Sequence, residues 1–140
     1  MKKVLVAEDE ESIREFIVIN LTRSGYIVEQ AENGAVALEK FKENEQSFDV
    51  AVLDEPSSAL DPIAESEMYE NLNRVTKDKT VVYISHRLSS AAMADRIIVL
   101  DNGNIIESGT HTDLMANGGM YSEMFTLQAS NYNKEAIENE

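Results

Sequence analysis

Apolar residues in this chain fall into short runs separated by stretches of helical period, a pattern that predicts alternating strands and helices. Lys3 to Ala7 (KVLVA) is such a run, and Glu8, Asp9, Glu10 and Glu11 follow it at once. That suits a buried parallel strand delivering carboxylates at its C-terminal end. Ser12 is placed to cap a helix whose apolar face is Ile13, Phe16, Ile17 and Leu21, and Gly25 stops it where a left-handed turn costs least. Tyr26 to Ala31 predicts a second strand, and Asn33-Gly34 turns the chain into a helix carrying Ala35, Leu38 and Phe41.

Phe48 to Leu53 predicts the third strand. Asp61-Pro62 then supplies a cap and a first-turn proline for a helix with Met68, Leu72 and Val75 on one face. Thr80 to Ser85 predicts a fourth buried strand, and Ser89 to Ala94 a short helical piece. Asp101-Asn102-Gly103-Asn104 between two apolar runs, Arg96 to Leu100 and Ile105 to Glu107, is a hairpin signal. Residues from His111 to about Ala129 are expected to be helical with a break at Gly118-Gly119. Ser130 to Glu140 is polar and acidic, the pattern of a frayed tail.

The alternation gives an α/β class: a three-layer flavodoxin-like or P-loop-like sandwich with a mainly parallel sheet, helices on both faces and an antiparallel edge strand. Strand order 2-1-3-4-5 is expected over a single domain spanning 1–129, with 130–140 as a flexible acidic tail. Ligands of such sheets gather at the C-terminal ends of the strands. Here those ends carry Glu8, Asp9, Asp54, Glu55, Ser85, His86 and Asp101.

Composition narrows the function. The chain has 140 residues and a formal net charge of −14, which argues against nucleic acid or an anionic membrane as partner. It has no cysteine, hence no thiol catalysis and no thiolate metal site. No apolar run reaches membrane-spanning length, and MKKVLVAEDE reads as a strand rather than a signal peptide, so a soluble cytoplasmic protein is expected. Glu10, Glu11 and the acids of helices and tail are expected to be solvated, and Met115, Met120 and Met124 to fill a core or interface.

KVLVAEDEESIREF, SGYIVEQAENGAVALEKF and FDVAVLD together resemble the first three βα units of a bacterial response-regulator receiver domain, over about residues 1–54. The resemblance implies that Glu8, Asp9 and Asp54 hold Mg²⁺ and that Asp54 accepts a phosphoryl group. A hard divalent ion needs oxygen ligands, and Mg²⁺ uses one or two carboxylates plus water and phosphate oxygens. Two departures stand out: Glu55-Pro56-Ser57-Ser58 replaces the family's Met/Pro/Gly-rich loop, and an acid, Asp101, lies where the family has a phosphate-pairing Lys. Ser85 would stand in for the family's switch hydroxyl.

VAVLDEPSSALD, followed by TVVYISHRLSSAAMADRIIVLDNGNIIESGTHTDLMANGGMYSEMFTLQ, resembles the C-terminal end of an ABC exporter's nucleotide-binding domain, over about residues 50–131. This resemblance implies that Asp54 supports Mg²⁺, Glu55 polarises the attacking water and His86 senses the γ-phosphate. Ser58 to Asp61 would belong to a dimer-facing loop, and His111 to a structural segment. No GxxxxGK[ST] phosphate-binding loop occurs.

Each resemblance fits its own part of the chain, and the two meet within one strand at Asp54. The expectation is an engineered chimera, receiver-derived over 1–54 and ABC-derived over 55–129, that is not an enzyme. It would have no nucleotide-binding residues, Glu55 and His86 would be vestigial, and Mg²⁺ would be its one optional cofactor. The alternatives are a Mg²⁺-dependent phosphoacceptor at Asp54, and ATP binding or hydrolysis of the ABC type. No nucleic acid or membrane is expected as partner; an open sheet edge would allow a homodimer by exchange of strands or elements.

Overall fold

The computed structural model describes residues 1–43, 48–56, 60–85 and 87–138. They divide into two compact units, Met1–Ile84 and Ser85–Glu140.

In the first unit the elements run β1 (Lys3–Ala7), α1 (Glu11–Arg23), β2 (Ile27–Ala31), α2 (Gly34–Glu43), β3 (Val50–Asp54), α3 (Pro62–Val75) and β4 (Thr80–Ile84). All pairings are parallel, in the order β2-β1-β3-β4, so the expected 2-1-3-4 order holds. One face of the sheet, with Leu5, Ala7, Ala31, Ala51 and Leu53, packs on Ala37 and Phe41 of α2 and Met68, Tyr69 and Leu72 of α3. Phe41 meets Phe48 edge-on at 5.4 Å between ring centroids, a favoured geometry for aromatic pairs.

Local chemistry fixes the helix starts. Asn33 Oδ1 accepts from the Val36 N–H at 2.9 Å. Asp61 Oδ1 accepts from the Ile63 and Ala64 N–H groups ahead of a first-turn proline, as Asp61-Pro62 predicts. Gly25 ends α1's turn at φ +89. The reading of α1 itself needs correction. Its cap position is Glu10, without a side-chain cap bond, and Ser12 donates instead to Glu10 Oε1 at 2.7 Å. Arg14, Ile17, Val18 and Leu21 are its half-buried stripe, whereas Ile13 and Phe16 are exposed, Phe16 to 68%. The stripe keeps helical spacing but is rotated, because the Arg14 guanidinium turns inward and donates to the Glu8 carbonyl at 2.7 Å.

β4 is less buried than expected: Thr80, Val82 and Ile84 are exposed, while Val81 and Tyr83 pack against the core. The register explains this. Val52 pairs with Val82 and Asp54 with Ile84, so these side chains leave the face opposite α2 and α3, where α1 packs on β1 and β2.

The second unit comprises α4 (Leu88–Ala91), β5 (Ile97–Asp101), β6 (Asn104–Gly109), α5 (His111–Asn117) and α6 (Met120–Glu138). β5 and β6 form a separate antiparallel pair, which corrects the expected fifth position in the parallel sheet. The side chains of β5 belong to a second core, and its pairing is set by a local turn. Asn102 and Gly103 both adopt positive φ, +48 and +77, the geometry of a two-residue primed hairpin turn that binds β5 to its immediate successor. Ile97 and Val99 then pack with Leu88, Leu114 and Tyr121. Gly118 breaks the helix at φ +64 as expected. Helix α6 continues to Glu138, where the sequence suggested a frayed tail from Ser130. Met115 packs against this second core; Met120 and Met124 are 38% and 37% exposed.

Two substitutions probe the first core. A Cβ at Gly34 would lie 2.5 Å from the Pro56 carbonyl oxygen and 2.9 Å from Met68 Sδ. Gly34→Ala is therefore expected to lower stability by about 1–3 kcal/mol, the range for overpacking, read by denaturant or thermal unfolding. Among the described residues the buried Tyr69 hydroxyl has no hydrogen-bond partner. Tyr69→Phe removes that uncompensated group and should raise stability by ~1 kcal/mol; a lower midpoint would contradict the assignment.

Candidate functional site

The first unit brings carboxylates together where β1 and β3 end side by side. Val4 and Val6 pair with Val50 and Val52. One alternation further along each strand, Glu8 and Asp54 leave the sheet on the same side. Glu8 is buried to 4% exposure and its carboxyl is in hydrogen-bonding contact with Asp54 and Asp9. Glu8 Oε1 accepts from the Glu10 N–H at 3.0 Å, so the turn after β1 folds back onto the strand's own terminal acid.

Burial and the facing Asp54 carboxyl push the Glu8 pKa up to about 7, and Asp9 adds to the rise against the Glu10 N–H. Glu8 therefore retains its proton into the neutral range.

Beyond Asp54 the backbone enters the left-handed region at Glu55, φ +44, and the Glu55 N–H donates to the Ile84 carbonyl at 2.8 Å. A non-glycine residue in this conformation typically costs on the order of 1–3 kcal/mol and concentrates at functional sites. Pro56 follows and lies against Gly34, so the turn after β2 backs the loop that presents Asp54 and Glu55.

Among the described residues no three carboxylates or imidazoles converge as a metal-ligand set. The expected trio of Glu8, Asp9 and Asp54 is therefore a contact chain with Glu8 at its centre. The donor chemistry still fits Mg²⁺, which is satisfied by one or two carboxylates with water completing its octahedron. His86 and Ser58 lie outside the described residues. Ser85 Oγ accepts from the Arg87 N–H at 3.0 Å, and Asp101 closes the hairpin of the second unit. His111 is structural, its Nδ1 2.8 Å from the Tyr121 hydroxyl. Two contacts escaped the sequence reading, the Arg14 bond to the Glu8 carbonyl and the Glu10 bond to its carboxylate. The usable signal was Arg14 three residues before Ile17, at the inward spacing of α1.

The fold is thus α/β and P-loop-like, with a mainly parallel four-stranded sheet and a separate antiparallel pair. No family model matches the chain. It is 52% identical over 73 residues to the subtilin transport ATP-binding protein SpaT of Bacillus subtilis, covering 52% of this chain and 12% of that protein. It is 46% identical over 79 residues to the ATP-dependent lipid A-core flippase of Bordetella avium (strain 197N), covering 56% of this chain and 13% of the flippase. Among solved structures, a bacterial Atm1-family ABC exporter with ATP bound is 38% identical with a TM-score of 0.57, over 59% of this chain and 14% of the exporter. The match therefore spans about half of this chain and roughly an eighth of these relatives' length.

Over that part the chain's relatives are ABC transporter ATP-binding proteins. They carry the ABC resemblance and lend nothing to the receiver resemblance over 1–54 or to an engineered origin. The expectation that the chain is not an enzyme is corrected, because these relatives are ATP-binding transport proteins and one is named as ATP-dependent. No helix among the described residues is long and apolar enough to cross a membrane.

The raised Glu8 pKa has a signed consequence. Relative to about 4.5 for an ordinary glutamate, a folded value near 7 stabilises the fold fully below the lower value. That contribution is lost as pH rises through the upper one. The melting temperature should fall between about pH 5 and pH 8, and Glu8→Gln should flatten that decline. An unchanged slope in the variant would assign the pH dependence elsewhere.

Proposed function

We propose that the first unit handles a phosphoryl group at Asp54 with the help of a divalent cation of the Mg²⁺ type. The contact between the buried Glu8 and Asp54 at adjacent parallel strand ends carries this reading. Asp54 is also the residue that both resemblances assign to phosphoryl chemistry. Mg²⁺, held by Asp54 and Glu8 with Asp9 beside them, would neutralise charge on the transferring group.

An Asp54 oxygen attacks the phosphorus of an acyl phosphate, the bond from phosphorus to the acyl oxygen breaks, and the carboxylic acid leaves as its anion. Glu8 would give up its proton on ligating the ion, and the left-handed backbone of Glu55 follows directly on the attacking Asp54.

A second reading is favoured by the names of the relatives: ATP use of the ABC type, with Asp54 supporting Mg²⁺ and Glu55 orienting water. With it comes a transport context and a membrane-associated partner, in place of the expectation that no membrane is involved. Against it stands the acidic turn Glu8-Asp9-Glu10 after β1, which repels polyphosphate where a glycine-rich loop would bind it. Under either reading the chain is a composite, its N-terminal part receiver-like and its remainder ABC-like, continuous through β3.

Intact mass after incubation with acetyl phosphate and Mg²⁺ tests the first reading. One phosphoryl adduct is expected, absent in Asp54→Asn and retained in Glu55→Gln. No adduct on a cooperatively melting protein overturns it. Mg²⁺-dependent ATP hydrolysis lost in Glu55→Gln, without an adduct, supports the second.

A further inference from the structure

β4 closes the parallel sheet on one side, and its sequence, TVVYI, has no charge, proline or glycine. Natural sheet edges usually carry such residues to prevent strand addition. The Thr80 N–H donates to the Asp49 carbonyl at 3.4 Å, and the Ile84 carbonyl accepts from the Glu55 N–H at 2.8 Å. Thr80, Val82 and Ile84 thus direct their backbone groups toward β3. By the alternation of a strand, Val81 and Tyr83 turn theirs to the outer edge. On one face of that edge, Val82 and Ile84 are 45% and 44% exposed.

We propose that this edge pairs with the same edge of a second copy of the chain, antiparallel about a two-fold axis through Val82. The parity is consistent. Val81 faces the partner copy's Tyr83 as a hydrogen-bonded pair, and the two-fold repeats it. Val82 meets its symmetry mate as the closer, non-hydrogen-bonded pair, and Thr80 meets Ile84. All five residues of β4 are then paired, and the exposed valine and isoleucine side chains form one stripe across the seam.

Charge selects both the orientation and the occupant. Lys77 and Lys79, with Asp78 between them, precede β4, whereas Asp54 and Glu55 lie at the other end of the neighbouring β3. Antiparallel pairing sets the lysine end of each copy against the acidic end of the other. Parallel pairing would set like against like. A self-complementary patch of this kind is what a two-fold dimer requires.

Single-cysteine variants of the full chain test the register, because the native sequence has no cysteine. Non-hydrogen-bonded antiparallel pairs bring Cα atoms to about 4.5 Å, within disulfide range. In a glutathione redox buffer, Val82→Cys should form a disulfide dimer roughly tenfold or more faster than Ile98→Cys, a control 52% exposed in the second unit. Thr80→Cys should cross-link with Ile84→Cys when the two are mixed, and slowly with itself.

Sedimentation at about 150 mM salt should show a monomer–dimer equilibrium in the native chain. Val82→Lys, which sets two ammonium groups against each other at the axis, should weaken it about tenfold or more. A native chain that stays monomeric at hundreds of micromolar overturns the proposal. So does Val82→Cys cross-linking no faster than the control.

Discussion

The backbone of Val50–Asp54 is hydrogen-bonded on both sides, to β1 through Val4–Ala7 and to β4 through Thr80–Ile84. Every other arrangement in the first unit depends on that double pairing. It sets Ala51 and Leu53 into the core beneath α2 and α3 and brings Asp54 level with the end of β1, where Glu8 is buried. A slip of one residue would reverse the faces and carry Asp54 into the apolar layer. The register that stabilises the sheet is therefore the one that creates the carboxyl pair.

That pair is itself a compromise. A buried glutamate against an aspartate is unfavourable unless a proton or a cation sits between them, and the Glu8 carboxyl is tied down further by the Glu10 N–H. The surrounding structure is correspondingly rigid. Gly34 leaves no room beside Pro56, and Glu55 keeps a left-handed backbone held by its bond to Ile84. A site held this way has little freedom to relax its charge by moving apart, so its occupancy by protons or cations has to do so.

Features whose causes lie within a few residues were legible in the sequence. Asn33-Gly34, Asp61-Pro62 and the Asn102-Gly103 turn act through their own side chains and dihedral angles, and each appears where its chemistry predicts. The juxtaposition of Glu8 and Asp54 was also legible, because acids at the ends of neighbouring parallel strands must meet. Features set by packing were not. The α1 stripe turned on the inward Arg14, which apolar periodicity ignores. β5 packs its apolar side chains into a second core with Leu88, Leu114 and Tyr121, and α6 extends through residues whose polarity suggested fraying.

The two sheets differ in how far along the chain their partners lie. The β5–β6 hairpin closes over two residues, and such hairpins form in about 1–10 μs. β3 joins β1 across a separation as large as the 46 residues between Lys3 and Asp49, and non-local parallel pairing is intrinsically slow. β4 pairs with β3 from Val50↔Thr80 onward, also a non-local parallel pairing. During synthesis or refolding the uncharged TVVYI segment thus stays unpaired well after the hairpin has closed. Crowding of nascent chains at that stage, rather than the strength of the finished core, would then limit how much protein reaches the folded state.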